Sequence, residues 1–326
     1  MPAELIVSHS PHVRSDASID TIFYAVIIAL IPATVCGIYL FGIRALYVIL
    51  VCISSAMLTE YVAMRLMGEM ELSIDDLLHL RLPPPTGVII TGLLLALCLP
   101  PNIPLWMAAI GAAFAVAFAK CAFGGLGHNI FNPALVGRAF LMASWPVAMT
   151  TWTKPLTYDA ITTATPLGLW KMQDIATPYM DLALGNVSGS IGETSAIALL
   201  IGGIYLIAKR YIDWRTPLSY IGTVAVLAFV LGQDPIFHIL AGGLFLGAFF
   251  MATDYVTTPI TRKGRIIFGV GAGIIVVVIR LIGGYPEGVC FSILLMNAFT
   301  PLIDRHVRPQ VYGVKRKSFF VSSANK

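Results

Sequence analysis

Long, continuous runs of apolar residues are the feature that most limits how this chain can fold. Residues 21–41, for example, contain no charged side chain, and about 20 such residues suffice for a helix to cross a bilayer. Only 12% of the chain is charged, roughly half the share of an ordinary soluble domain. A membrane β-barrel would instead show short segments of alternating polarity. The sequence therefore predicts an all-α polytopic membrane protein.

Hydropathy predicts about ten membrane spans, some of them short. The run 87–100 would cover only about 20 Å as a helix, less than the hydrocarbon core of a bilayer. Short or broken helices at this depth are typical of segments that line an interior site. The predicted spans are 20–41, 45–64, 87–100, 104–121, 129–147, 194–208, 217–231, 236–253, 266–282 and 287–303.

The distribution of Lys and Arg predicts the orientation. If the N-terminus is inside, 16 of the 21 basic residues fall in inner segments and only Arg44, Lys154 and Lys171 in outer ones. Cytoplasmic loops carry such an excess of positive charge. We therefore expect both termini to be cytoplasmic and the long segment 148–193 to lie outside.

Segment 148–193 also divides the chain into two five-helix halves, 1–147 and 194–326, the second ending in a basic cytoplasmic tail. Because five is odd, related halves would have opposite orientations in the membrane. "GGLGHNIFNPALVGRAF" in the first half and "GGYPEGVCFSILLMNAFTP" in the second share a Gly-rich entry and an Asn–Pro feature. The sequence favours an inverted repeat with short or broken helices.

Charged residues within spans normally indicate function. Arg138 lies in the fifth span, and two interpretations stay open: contact with an anionic ligand, or a structural tie to carbonyls at a helix break. Arg280 lies near an outer helix end, where snorkelling is expected. No carboxylate lies at the centre of a span, which argues against a self-contained cation pump, although carbonyls of broken helices remain as Na⁺ ligands. The His and Cys spacings predict no metal site.

"YDAITTATPLGLW", residues 158–170, is a polar, hydroxyl-rich stretch in the outer segment. Its threonines follow a carboxylate, Asp159, by a few positions. By itself the stretch is typical of an ordered exterior loop rich in turn formers. The alternative is a modification site, in which one hydroxyl is presented on the outer side of the membrane.

Several motifs support the second interpretation. "SPHVRS", "LPPPTG", "FGGLGHNIFNPALVGRAFL", "FMATDYVTTPITRKG" and "NAFTPLIDR" stand in the chain together with the threonine stretch. With these motifs, over essentially its whole length, the chain resembles the D subunits of the Rnf (Rsx) ion-translocating electron transport complex. It is more distantly similar to the B subunits of the sodium-translocating NADH:quinone reductase.

The resemblance implies a covalent cofactor in the outer segment. In that family a threonine carries FMN through a phosphodiester bond, which a flavin transferase forms on the outer side of the membrane. The acceptor here would be Thr165, with Asp159, Thr162 and Ala164 matching the surrounding motif. Thr163 stands where the family motif has Gly, and a β-branched residue does not readily take a positive φ. Thr162 or Thr163 therefore remains an alternative acceptor.

The resemblance also implies the function. The chain would be a membrane subunit that relays electrons between NADH and ferredoxin, coupled to Na⁺ or H⁺ translocation. It would work with the other Rnf subunits and membrane lipid, without nucleic acid. The expected location is the bacterial inner membrane, with 148–193 periplasmic. Whether the isolated chain is catalytic stays open.

Two further expectations follow by analogy. The fold would be similar to that of urea transporters, so a solute transporter or channel is the alternative function. A second, non-covalent flavin would bind inside the protein, where we expect Arg138, Asn132 and Asn297 to line the interior between the halves as flavin contacts.

Overall fold

The chain folds mainly into α-helices in a computed structural model, which describes residues 18–68, 86–156, 162–193 and 195–308. The first five helices are α1 (Ile19–Phe41), α2 (Ile43–Leu66), α3 (Thr86–Leu97), α4 (Leu105–Ala119) and α5 (Pro133–Ser144). The segment that follows α5 contains α6 (Pro146–Thr150), β1 (Trp152–Thr153), β2 (Thr162–Thr163), α7 (Pro166–Gln173) and α8 (Tyr179–Leu184). The remaining helices are α9 (Ala196–Ala208), α10 (Arg215–Val230), α11 (Pro235–Leu240), α12 (Leu244–Leu246), α13 (Arg262–Leu281) and α14 (Val289–His306).

Four helical stretches are long and apolar enough to cross a membrane: α1, α2, α13 and α4 with the 3₁₀ turn that follows it. Helices α3, α5, α9 and α10 are shorter but also apolar. Many large apolar side chains on these helices face outward, such as Ile31 on α1 and Phe229 on α10. An apolar exterior of this extent is typical of a surface in contact with lipid. The prediction of an all-α, multi-pass membrane protein is confirmed at this level.

The predicted span 236–253 is wrong as a single helix. Helix α11 ends at Leu240, α12 begins at Leu244, and a π-helical turn follows over Gly247–Met251. Gly242 between them has a φ of 72°, a conformation that glycine adopts without steric cost. The hydropathy pattern is continuous through this break because its residues, Ala and Gly, are themselves small and apolar.

The predicted span 129–147 is likewise shorter as a helix. Residues 129–132 are not helical, and α5 begins at Pro133. The Asn132 side chain accepts a hydrogen bond from the Leu135 backbone N–H at 3.3 Å, which makes Asn132 the N-cap. Pro at the first helical position needs no hydrogen-bond partner for its nitrogen. The "NP" dipeptide thus begins the helix inside the apolar run.

Helix packing follows the same order in both halves. In the first, α2 packs against α3 and α4, and α4 packs against α5. In the second, α10 packs against α11 and α13, and α13 packs against α14. Helix α1 crosses α9, and α5 contacts α14, so these two pairs join the halves.

The crossing of α1 and α9 depends on one glycine. A Cβ atom added at Gly202 would lie 2.0 Å from the carbonyl oxygen of Ala29. No side chain fits at that distance, so the two backbones are in direct contact. Small residues at helix crossings are how membrane helices approach closely enough to pack.

Candidate functional site

The threonine-rich stretch lies where the β1–β2 hairpin meets helix α7. Trp152 on β1 is paired with Thr163 on β2. Thr165 is the N-cap of α7, with φ −67° and ψ 158°. Its Oγ1 accepts a hydrogen bond from the Gly168 backbone N–H at 3.1 Å, an amide that the start of a helix leaves without an intrahelical partner. This cap holds the Thr165 hydroxyl in one position, 5% exposed.

The neighbouring motif residues have different surroundings. Thr162 and Thr163 form strand β2, and the Thr163 hydroxyl is hydrogen-bonded to that of Ser188. Ala164 is exposed, and Asp159 lies outside the described residues. Thr163 is extended, a conformation that suits a β-branched side chain. Thr163, which stands where the family motif has Gly, therefore needs no positive φ in this structure.

Helix α7 is tied to the C-terminal half of the chain. The Lys171 ammonium group donates hydrogen bonds to the carbonyls of Arg280, at 2.9 Å, and of Gly283. These carbonyls belong to the end of α13, where a cation is favourable. The Trp170 ring also meets His238 edge-on, with ring centroids 4.8 Å apart. The helix that begins at Thr165 is therefore fixed against α11 and α13.

A narrow cleft of about 20 Å³ lies beside Thr165. Its walls are largely apolar and its polar lining contains two carboxylates, Glu193 and Glu287. A second narrow cleft, of about 40 Å³, shares these two carboxylates and adds Arg138, Trp152 and Tyr285. Thr165 and the buried charges thus belong to one continuous region of the molecule.

A buried ionic cluster joins the two halves in this region. Arg138 Nη1 lies 2.7 Å from Glu193 Oε1, and Nη2 pairs with Glu287 Oε2. Arg138 and Glu193 are 5% and 6% exposed. Among the described residues, the other oxygen of Glu193 and the Ser190 hydroxyl are buried without a hydrogen-bond partner. Arg138 therefore pairs with two carboxylates of this chain, which neither interpretation from the sequence named.

Glu193 reaches the cluster through a segment that enters the helical core. The backbone amides of Ile191 and Gly192 donate to the carbonyls of Leu99 and Leu97, at the end of α3. Sequence reasoning did not single out Glu193. The sequence does contain a feature that could have drawn attention to Glu193. This acid stands in the Gly- and Ser-rich stretch "SGSIGETS", directly before an apolar run.

The expected snorkelling of Arg280 is wrong. Its side chain is 1% exposed and donates to the carbonyls of His238 and Ala241, the latter at 3.1 Å. These carbonyls lie at the end of α11, where the helix break leaves them without helical partners. Arg280 thus satisfies backbone acceptors at the break.

Asn132 and Asn297 are brought together away from the ionic cluster. The Asn132 side chain donates to the carbonyl of Met251 at 3.4 Å. With its amide oriented to satisfy both neighbours, Asn297 accepts from the Asn132 backbone N–H at 3.1 Å and donates to the Ile293 carbonyl. All three predicted interior residues therefore contact the opposite half, but Arg138 does so in the outer clefts and the asparagines do so near the start of α5.

Asn132 also lines a larger cavity, of about 410 Å³. The lining is mainly apolar, with the rings of Phe23, Phe249 and Phe250. Its polar groups include Lys120, Asn129 and Asp254, and the Asn129 amide donates to the Asp254 carboxylate at 3.4 Å. A cavity with apolar walls and a few placed polar groups is the usual form of a site for a small organic ligand.

Glu287 gives the ionic cluster a pH dependence. It lies in the connection between α13 and α14, and burial, then the Glu193 carboxylate, raise its pKa against the lowering effect of Arg138. Because the folded-state pKa exceeds the unfolded one, this stabilisation is present at acid pH and is lost as the pH rises through the folded-state pKa.

We expect the Tm of the detergent-solubilised chain to fall between pH 5 and pH 8 through this group. In Glu287→Gln the amide stays neutral, so that component of the decline disappears. Thermal unfolding of both proteins across this pH range measures it, and parallel curves for the two would contradict the assignment to Glu287.

Comparison with known proteins agrees with these features over nearly the whole chain. The sequence model of the NQR2, RnfD, RnfE family matches residues 6–313. The D subunit of the proton-translocating ferredoxin:NAD(+) oxidoreductase complex of Clostridium ljungdahlii is 51% identical, over 95% of this chain and 96% of the relative. The D subunit of the Na(+)-translocating ferredoxin:NAD(+) oxidoreductase complex of Acetobacterium woodii is 48% identical, over 96% of each chain.

A third relative extends the similarity to a more distant sequence. The D subunit of the ion-translocating oxidoreductase complex of Stutzerimonas stutzeri is 39% identical, over 91% of this chain and 93% of the relative. Matches at these identities cover both chains almost completely. The similarity therefore extends over the whole chain and is not limited to one shared segment. The chain belongs to the NQR2, RnfD, RnfE family.

Proposed function

We propose that this chain is the D-type membrane subunit of an ion-translocating ferredoxin:NAD⁺ oxidoreductase, and that it relays electrons within a redox-driven ion pump. The match to subunits of that complex over nearly the full length carries the proposal. The relatives from Clostridium ljungdahlii and Acetobacterium woodii are named for different ions, proton and Na⁺, but for the same redox couple. The other subunits of the complex are its expected partners.

We infer that Thr165 carries FMN through a phosphodiester bond. The geometry of the acceptor fits such a link. An ester at Oγ1 keeps the lone pairs that accept from the Gly168 N–H, and it places the phosphate at the start of α7, where helix amides favour negative charge. When bound, the flavin supplies the one-electron chemistry, while this chain's residues hold and surround it.

The cleft beside Thr165 adds to this argument. Its walls are largely apolar, and the fixed N-cap geometry would hold any group attached at its edge in one place. Thr163 is engaged with Ser188 within the hairpin, which makes it a weaker candidate acceptor than Thr165. Attachment is the work of a flavin transferase, the maturation partner that the family resemblance implies.

The cavity lined by Asn132, of about 410 Å³, is the place that best fits a second, non-covalent flavin. Phenylalanine rings along its wall suit a flat aromatic ring, and the amides of Asn129 and Asn132 suit the polar edge of such a ring. Asn297 would act there through its hydrogen bond to Asn132. Arg138 lines the outer cleft instead, so its predicted flavin contact would be with the covalent group.

For the architecture, we infer two inverted halves of five membrane elements, similar to the urea-transporter fold. The matched packing order of the halves and the joining pairs α1–α9 and α5–α14 support this inference. The excess of basic residues on one side supports cytoplasmic termini and an outer position for 148–193 in the bacterial cytoplasmic membrane. Thr165 would then face the side on which the transferase works.

In-gel flavin fluorescence under denaturing conditions tests the covalent link. We expect the full chain, co-expressed with a flavin transferase, to give a fluorescent band that is lost in Thr165→Ala. Thr165→Ser is the matched control, because it keeps a hydroxyl and the N-cap, and some fluorescence should remain. Thr163→Ala should retain the signal.

A dark wild-type band, or a signal that disappears with Thr163→Ala and persists in Thr165→Ala, would overturn the assignment. A flavin-free chain that moves a solute by itself in proteoliposomes would favour the transporter alternative.

A further inference from the structure

A basic cavity lies at the end of the molecule opposite to Thr165. Helix α13 begins at the cavity with Arg262 and ends near Lys171 of α7, and its 20 residues separate the two sites by about 30 Å. The cavity, of about 480 Å³, lies between the end of α9 and the starts of α10 and α13. It shares Ile212, Thr253 and Tyr255 with the cavity proposed for a second flavin, but its charged side chains line neither proposed flavin site.

The charge of this cavity is strongly positive. Its lining contains four guanidinium groups and one carboxylate, an excess of three positive charges: Arg210, Arg215, Arg262, Arg265 and Asp213. Helices α10 and α13 begin at Arg215 and Arg262, so both direct the positive ends of their dipoles here. An anion with more than one charge is the ligand that such a cavity favours.

Part of this charge is held in fixed positions. Arg215 and Arg265 each donate to Asp213, at 3.1 and 3.0 Å. Burial by itself would raise the pKa of Asp213, but hydrogen bonds from the Arg215 backbone and from the Arg265 and Arg215 side chains lower it below its ordinary value. Asp213 is therefore ionised at neutral pH and orients two arginines. Arg210 and Arg262 are exposed at the rim.

Apolar side chains continue from the cavity along the same helices. Leu218 lies one turn beyond Arg215 on α10, and Ile266 lies one turn beyond Arg262 on α13; they are 59% and 43% exposed. Trp214 and Tyr255 at the mouth are about half exposed, as is typical of aromatic residues at a membrane–water interface. A soluble anion would leave these apolar side chains without a partner, whereas the acyl chains of a phospholipid would pack against them.

We propose that the cavity binds the phosphate headgroup of an anionic phospholipid, whose acyl chains lie along the outward faces of α10 and α13. The arginines hold the phosphate oxygens, and Trp214 and Tyr255 mark the depth of the headgroup. The arginines that define this site line neither proposed flavin site. A basic pocket between membrane helices is a known form of headgroup site.

Lipid titration of the full chain tests the proposal without any substitution. The protein is purified in a neutral detergent, and native mass spectrometry and Tm are recorded with phosphatidylglycerol, cardiolipin, phosphatidylcholine or inorganic phosphate added. We expect retention of the two anionic lipids and a rise in Tm with them alone. Equal retention of phosphatidylcholine, or an equal rise in Tm with the same concentration of inorganic phosphate, would overturn the lipid assignment.

A pair of charge-matched variants then locates the site. Arg210→Gln with Arg262→Gln removes two exposed cavity charges, and Lys209→Gln with Lys263→Gln removes two exposed charges that adjoin the cavity without lining it. We expect the arginine variant to weaken anionic-lipid binding roughly tenfold or more, and the lysine variant to change it by less than about threefold. Equal losses would indicate diffuse surface attraction and overturn the specific site.

Discussion

Replacing Arg138 by Met is expected to lower the free energy of unfolding by about 3–5 kcal/mol, because it leaves two carboxylates in the core without their counter-charge. Glu193 is 6% exposed, and one of its oxygens already has no partner among the described residues. A buried carboxylate that loses its counter-charge pays the full cost of desolvation. The measurement is thermal or denaturant unfolding of the purified chain in detergent, at pH 8.

The triple variant Arg138→Met/Glu193→Gln/Glu287→Gln separates the loss of a counter-charge from the loss of packing. With all three charges removed, no uncompensated ion stays buried, and we expect most of the lost stability to return. Arg44→Met is the control for removing an arginine, since Arg44 is exposed and such changes stay within about 0.5 kcal/mol. A triple variant no more stable than the single one would refute the electrostatic explanation.

Gly202→Ala is expected to destabilise the protein by about 1–3 kcal/mol. The added Cβ would lie 2.0 Å from the Ala29 carbonyl oxygen, so α1 and α9 must move apart. Since this crossing joins the two halves, the change should also alter their docking. Unfolding in detergent measures the loss, and cross-linking between cysteines placed on α1 and α9 reports the separation.

Gly222→Ala is the matched control. Gly222 is also within a helix, α10, but no atom lies within 4 Å of its added Cβ. There the same substitution should be neutral or should stabilise by up to about 1 kcal/mol, as for glycine in helix interiors generally. If both variants lose equal stability, the backbone contact at Gly202 is not the cause.

Hydropathy and helix signals predicted the positions of the regular helices to within a few residues. The predicted span 20–41 corresponds to Ile19–Phe41, and 217–231 to Arg215–Val230. The pattern works because a lipid-facing helix must be apolar over its whole length. It failed at 236–253, where glycine and alanine keep the run apolar while the backbone leaves the helix.

The partners of the buried charges could not be read from the sequence. Arg138 pairs with Glu193 and Glu287, which lie far along the chain, and only the packing of α5 against the second half brings them together. The position of Arg280 near a helix end predicts a side chain that reaches the surface. The sequence does not show that the neighbouring helix is broken and leaves carbonyls for Arg280 to bind.

Motif resemblance identified Thr165 as the proposed acceptor, and the structure shows the geometry of its hydroxyl group. Sequence pattern alone left "TTATP" as an ordinary loop. The structure adds that Thr165 caps α7 and that Thr163 belongs to a hairpin, two roles set by hydrogen bonds to Gly168 and Ser188. A run of threonines in a sequence is compatible with several such arrangements. Which threonine caps the helix and which belongs to the hairpin can be seen only in the structure.

The short helices have an electrical consequence. Helices α3 and α5 have 12 residues each and are about 18 Å long, whereas the insulating core of a bilayer is about 30 Å thick. The barrier that a moving charge meets, at about 2.3 kcal/mol per 100 mV for each elementary charge, therefore includes buried non-helical backbone as well as the helix, such as residues 98–101 after α3.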